Sequence, residues 1–364
     1  MDSTVIIERI GTIWLLVMGL AIGSFLNVVI YRLPRDLSVV SPRSACPSCG
    51  HMLPWYENIP VFSWLALRGQ CSRCKVPISP RYAIVELLTG LLFLACLARF
   101  GWSWELVSAL VFITLLVPLT FIDAELWVLP FSLTLPGILF GVVLMIPRGV
   151  EAVMTSIIGA VVCFMLYRLL EWVGWLAFRK EALGAGDKFL LAMVGAFLGW
   201  RPLLGILFLS AAQGALFGIA GLLITGRAGP GQPPAPEPAP APLVPVTPVE
   251  PVIASADQPL LEPAKPSEPE VTFTPDVTRP GLPLWKRLAL IPWTLFLQPI
   301  PDDPPPDEST GDLPQWEPPA TALPFGPWIA LAALEVMLVA PTLVGMFEPS
   351  SPIGASFRVM FGAT

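Results

Sequence analysis

The chain has 364 residues, 54% of them hydrophobic and only 13% charged, with a mean hydropathy of +0.71. Soluble domains carry about 25% charged residues, so the composition excludes a single ordinary soluble domain. The 43 prolines and the net charge of −6 mark a second kind of sequence in the same chain. Of those prolines, 26 fall within residues 228–322, together with 13 acidic and 4 basic residues. The rest of the chain holds 14 acidic and 17 basic residues and is mildly basic.

A helix crossing the hydrocarbon core needs about 20 mostly apolar residues. Read in chain order, the first such run covers residues 10–31. It is too long for the apolar core of a signal peptide, and Asp2, Glu8 and a lone Arg9 make a poor basic leader, so a retained helix is predicted. Residues 32–81 follow as a loop with seven Lys/Arg against Asp36 and Glu57. The positive-inside bias predicts that this loop is cytoplasmic and the N-terminus external.

That loop carries Cys46 and Cys49 in CPSC, then Cys71 and Cys74 in CSRC, with 21 residues between the pairs. Two Cys-x-x-Cys knuckles can bring four thiolates onto one tetrahedral zinc ion. A reducing cytoplasm disfavours disulfides, and no thioredoxin-like βαβ pattern surrounds the pairs, so a zinc-ribbon-like loop is the expected reading. At about 50 residues the loop is too small to build its own core without such a clip. His51, the sole histidine, reads as a bystander beside four cysteines, and Cys96 and Cys163 lie in apolar runs as packing residues.

Residues 82–225 hold the next six runs, near 82–99, 104–122, 127–146, 152–170, 189–200 and 203–225; the sixth run of the chain, 189–200, is short. Asp123 ends the third run, in FIDAELWVLP, and Asp187 begins the sixth, after Gly184 and Gly186 and before Lys188, in GAGDK. Alternation predicts both aspartates at cytoplasmic helix ends. A charge at a membrane span is a functional candidate by default, and the glycines allow a tight turn with close backbone approach. The alternative is that each aspartate merely caps or pairs at its helix end. Glu86, Glu171 and Glu335 read as structural, Glu171 pairing with Arg168 at i,i+3.

Two close carboxyl groups titrate as a unit, one ionised and one protonated. One can then activate water while the other polarises a peptide carbonyl, as in aspartic proteases. The absence of a well-placed Ser–His pair argues against serine and cysteine hydrolases. Residues 228–322 alternate Pro with Ala, Val and Glu, a composition predicting an extended, largely disordered insert with one apolar island at 284–297. A last run, within residues 323–346, completes about eight spans. The fold expected is an all-α polytopic membrane protein with a small zinc-ribbon-like loop and a Pro-rich insert. Nothing in the sequence marks a nucleic-acid partner, and any partner of the insert is unknown.

Beside this reading, several segments resemble one family. GSFLNVVIYRLP at 23–34, the stretch CPSCGHMLPWYENIPVFSWLALRGQCSRCKVPISPRYAIVELLTG, the region of Asp123, GAGDKFLLAMVGAFLGW and LPFGPWIALAAL at 323–334 match the type IV prepilin peptidases in order. These are leader peptidase/N-methyltransferases, related to GxGD-type intramembrane aspartic proteases. The resemblance implies eight helices in the bacterial inner membrane and cleavage of prepilin or pseudopilin leaders on the cytoplasmic side. Roles in type IV pili and type II secretion, and N-methylation with S-adenosylmethionine, are implied with it. It puts the catalytic pair on Asp123 and Asp187 and the four-cysteine loop on Cys46, Cys49, Cys71 and Cys74. Lys188 is one position after Asp187 where the family often has a basic residue two positions on, and Pro130-Phe131 stands where Pro-Asp or Pro-Asn is common. No Rossmann-type glycine fingerprint marks a methyl-donor site. An ion-coupled transporter and a non-catalytic assembly platform are the competing classes; the first would want acids at the bilayer midplane on broken helices.

Overall fold

The structure, a computed structural model, describes residues 3–46, 48–178, 184, 186–225 and 323–339. The Pro-rich insert, its apolar island and the end of the last run lie outside these residues. The described part is helical, with two isolated β-bridges and no longer strand.

The helices are α1 (Ser3–Arg32), the short α2 (Phe62–Ala66), α3 (Arg81–Phe100), α4 (Trp104–Leu126), α5 (Phe131–Val143), α6 (Val150–Phe178), α7 (Asp187–Leu198), α8 (Leu203–Thr225) and α9 (Gly326–Leu338). Six helical stretches are long and apolar enough to cross a membrane: Val5–Arg35, Arg81–Phe100, Trp104–Leu126, Phe131–Arg148, Val150–Leu176 and Leu203–Ile224. The expected eight are therefore six among the described residues. Helix α7 has 12 residues and would span only about 18 Å. Helix α9 has 13 described residues.

Helix α7 is short because it is a core element. Eight of its residues are buried, on all sides rather than along one stripe. Its neighbours come unusually close. Ser156 Oγ on α6 donates to Ala196 O at 2.6 Å, and a Cβ placed on Gly159 or Gly195 would run into the opposite backbone. Small residues at such crossings let apolar helices gain packing contacts that lipid would otherwise supply equally well. Helices α1 and α3 cross in the same way, a Cβ at Gly23 falling 2.7 Å from Glu86 Cα.

The core runs through α3, α4, α7 and α9, with Phe93, Phe112, Leu116, Leu191, Met193 and Ile329 almost fully enclosed. Large apolar side chains also cover the outside, Trp14 being 71% and Leu223 82% exposed. In water such a surface would be an aggregation hazard; in lipid it is the solvated face.

One boundary moves. The fourth run, read as residues 127–146, starts its helix only at Phe131. Trp127 takes the left-handed conformation (φ 59°) and donates its N–H to Asp123 O at 3.0 Å, closing α4, and Pro130 then precedes the first turn of α5. The C-terminal ends of α4 and α6 and the N-terminal ends of α7 and α9 face the same end of the bundle as the cysteine loop, which joins the end of α1 to the start of α3.

Candidate active site and metal centre

The cysteine loop builds two matching turns. Cys46 N–H donates to His51 O and Gly50 N–H to Cys46 O, both at 2.9 Å; Cys71 N–H donates to Val76 O at 2.9 Å and Lys75 N–H to Cys71 O at 3.1 Å. Bridges Ala45–Met52 and Gln70–Pro77 seal the bases of the turns. Each turn needs a left-handed residue just after its second cysteine, and Gly50 (φ 67°) and Lys75 (φ 60°) fill those places.

The four sulfurs lie within 4.8 Å of one another, Cys46 to Cys74 at 3.8 Å and Cys49 to Cys71 at 3.9 Å. A disulfide would need about 2.0 Å, and all four thiols are free. Thiolates about 2.3 Å from a tetrahedral zinc would sit about 3.8 Å apart, so the spacing fits a four-thiolate metal ion. The amides of Cys74 and Arg73 bring the Cys71 thiol down to about 6. At Cys74 the Val76 amide pulls the same way, but desolvation and the other three thiols outweigh it and push that group up to about 11. A cation would relieve this crowding of sulfur. His51 is not in the cluster; its Nε2 lies 3.6 Å from Glu57 Oε2.

At the same end of the bundle sit two buried carboxyl groups. Asp123 is in the last turn of α4 and Asp187 is the first residue of α7; they are 5% and 4% exposed. Asp123 lies within electrostatic reach of Asp187, and the backbone of Gly326 lies against its carboxyl group. A Cβ on Gly326 would fall 2.5 Å from Asp123 Oδ2, so the start of α9 packs directly on this carboxyl. Asp123 Oδ2 is buried with no hydrogen-bond partner among the described residues.

Asp187 does not cap its own helix. Its Oδ2 accepts instead from the Tyr167 hydroxyl of α6 at 2.7 Å. The two glycines of the preceding turn stay close to it. Gly184 O accepts from Asp187 N–H at 3.2 Å, and Gly186 packs so tightly on Leu129, just beyond α4, that a Cβ there would come within 2.8 Å. Lys188 turns away from the carboxyl pair, its Nζ lying 3.4 Å from Glu171, which also binds Arg168 at 2.7 Å. The i,i+3 pair expected from the sequence is present, with Lys188 as a third member.

Two residues of this site escape the sequence reading. Tyr167 lies within an apolar run, but it is one of only four tyrosines and stands on α6 one position before Arg168. Gly326 belongs to the FGP segment, where its small size is the signal.

Comparison with known proteins follows the same two regions. Residues 17–100 match the family model described as the bacterial peptidase A24 N-terminal domain, and residues 110–219 match the type IV leader peptidase family. The two matches together span more than half the chain. The chain belongs to the type IV leader peptidase family. One member, from Myxococcus xanthus (strain DK1622) and named prepilin leader peptidase/N-methyltransferase, is 53% identical over 331 residues, 91% of each chain. That alignment is longer than everything outside the Pro-rich segment, so it runs into the insert. Members of the same name from Aeromonas hydrophila and Neisseria gonorrhoeae are 40% and 37% identical, covering 57% and 58% of this chain and 79% and 82% of their own. No solved structure matches the chain. Six apolar helices and the leader-peptidase family together make this a multi-pass membrane protein.

Proposed function

We propose that this chain is an aspartic endopeptidase that removes the leader peptide of type IV prepilins or pseudopilins at the cytoplasmic face of the inner membrane. It then N-methylates the new N-terminus. The names carried by its relatives support both activities. The basic first loop supports the orientation.

In this reading Asp123 and Asp187 form the catalytic pair. What supports it is one observation: two buried carboxyl groups from different helices, within electrostatic reach, one of them with an unpartnered oxygen. Such a pair holds one proton between its members. The ionised member takes a proton from water as its oxygen attacks the scissile carbonyl. The protonated member donates to the carbonyl oxygen, and the proton returns to the leaving amine. Tyr167 fixes one Asp187 oxygen, so the other keeps a defined direction. Gly184 and Gly186 keep the turn narrow enough for a peptide backbone to approach. Both acids sit at helix ends rather than mid-membrane, which disfavours ion-coupled transport.

Residues 32–81 serve as the metal-clipped loop, with Cys46, Cys49, Cys71 and Cys74 holding a structural zinc ion. Residues 82–225 carry the peptidase core, and residues 323–346 bring Gly326 onto Asp123. S-adenosylmethionine, when bound, supplies an electrophilic methyl group. The enzyme's own part is to hold that donor and the freed amine together.

The test incubates membrane-embedded enzyme with a prepilin and reads the product N-terminus by mass spectrometry. Wild-type enzyme should yield a shortened, methylated product. Asp123→Asn and Asp187→Asn should each reduce cleavage by at least about a thousandfold, in line with losing one member of a catalytic unit. Near-normal cleavage by either variant would end the pairing.

A further inference from the structure

A groove of about 620 Å³ runs between α1 and two stretches of the first loop, residues 39–44 and 53–60. Its depth in the membrane follows from α3. Asn27 Nδ2 donates to Tyr82 O at 3.0 Å, and Gly23 packs against Glu86. The groove wall formed by Ala21, Phe25 and Val28 is therefore level with the first two turns of α3. Helix α3 has 20 residues and is about 30 Å long, which is the thickness of the hydrocarbon core. Its first turns mark the boundary between headgroups and acyl chains on the cysteine-loop side. The loop thus folds back along α1 to headgroup depth.

The groove is apolar along its length and cationic at its mouth. On the loop side stand Val40 and Trp55, 87% and 75% exposed. Tryptophan is enriched at headgroup level, where its ring and its N–H are both satisfied. Among the described residues two arginines and no acid line the groove. Arg32 is committed to the loop itself: its guanidinium donates to Ser38 O at 2.9 Å and to Pro42 O at 2.8 Å, holding the turn that precedes Arg43. Arg43 is exposed, and its guanidinium has no ion pair and no hydrogen bond among the described residues. A free cation above an apolar trough at the membrane boundary fits a phosphate whose acyl chains lie in the trough.

We propose that this groove seats an anionic phospholipid of the leaflet on the cysteine-loop side, its phosphate on Arg43 and an acyl chain along Ala21, Phe25 and Val28. Two observations select a lipid over a protein segment. The first is continuity: Trp14, Val17, Ala21, Phe25 and Val28 recur at helical spacing on one stripe of α1, and Trp14 and Val17 are exposed where the stripe faces the bilayer. A lipid diffusing along that stripe enters the groove without leaving the membrane. The second is charge: the groove holds two cations and no acid, so a zwitterionic headgroup would bring a further cation, and an anionic one would not. The bound lipid fills the space between loop and helix and fixes the height of the cysteine loop above the bilayer.

The full-length protein is released from nanodiscs of phosphatidylcholine and phosphatidylglycerol in equal amounts, and its retained lipid is identified by native mass spectrometry. Wild-type protein should keep phosphatidylglycerol in preference to phosphatidylcholine. Arg43→Gln should lower that preference roughly fivefold, the effect of one basic residue near a membrane surface, and Arg43→Lys should keep most of it. Arg68→Gln removes an exposed cation of the same loop that does not line the groove, and should leave the preference unchanged. Phosphatidylglycerol with a photoreactive acyl chain should label residues 21–28, 39–44 or 53–60 of the wild type, a map that depends on no variant folding. No preference in the wild type, an equal loss in Arg43→Gln and Arg68→Gln, or label confined to α4–α9 overturns the proposal. A two-chain species that carries no lipid would make the groove an interface between copies and overturn it likewise.

Discussion

The cysteine loop and the carboxylate end of the bundle solve one problem in opposite ways. The loop collects four like groups using local backbone. Each knuckle closes on itself through hydrogen bonds spanning four or five residues, and the second pair repeats the geometry of the first. The carboxylate site uses no local motif beyond the glycine turn. Asp123, Tyr167, Asp187 and Gly326 arrive on four different helices, and only packing across α4, α6, α7 and α9 brings them together. A site built locally should fail alone. A site built by packing should be stiff, and its side chains replaceable only at high cost to chemistry.

The largest expected effect breaks the loop and leaves the bundle standing. Changing Cys46 and Cys71 together to serine should drop the metal content from about one ion per chain toward zero. The first loop should become protease-sensitive while the helical signal of the bundle persists. Acid should do the same reversibly. The Cys71 thiol lies at about 6 against an ordinary 9.0. Its thiolate therefore stabilises the folded loop fully above the unfolded value, and that contribution is lost as pH falls through about 6. Protons compete with the metal for the four thiolates, so metal release, followed with a colorimetric chelator, should rise as the pH falls. Release only well above pH 7 would contradict the assignment.

The two sites differed in legibility for the same reason. Cys46, Cys49, Cys71 and Cys74 announce themselves because ligand spacing is a property of the chain itself. Asp123 and Asp187 were visible as acids at the ends of apolar runs. Tyr167 was not, since nothing local says that a tyrosine on α6 will meet the first residue of α7. Helix α7 is where hydropathy says least: a short apolar run reads the same whether its neighbours or lipid enclose it, and the structure encloses it among helices. Trp127 is a similar case, an aromatic residue that continues the apolar pattern but stops the helix with a left-handed backbone.

A middle-sized effect probes the packed site without touching the loop. Tyr167→Phe keeps the ring and removes the hydroxyl that donates to Asp187 Oδ2 at 2.7 Å. A hydrogen bond to a charged group contributes about 1.5–3 kcal/mol, so cleavage should slow by roughly ten- to a hundredfold. Metal content and methyl-donor binding should stay as in the wild type. A parallel loss of metal would mean that the two regions are not independent in the way their construction implies.

The smallest effect tests whether the knuckles are interchangeable. Gly50 and Lys75 occupy the same left-handed position, at φ 67° and 60°, but only glycine adopts it freely. Lys75→Gly should relieve about 1–2 kcal/mol of backbone strain, offset by about 0.5–1 kcal/mol of extra unfolded-chain entropy. The net gain should be well under 2 kcal/mol, visible as slower proteolysis of the first loop at low chelator concentration. The reverse change, Gly50→Lys, should cost about the same amount. If the two substitutions fail to mirror each other, the lysine side chain itself supports the second turn, and the loop's apparent two-fold repeat stops at its backbone.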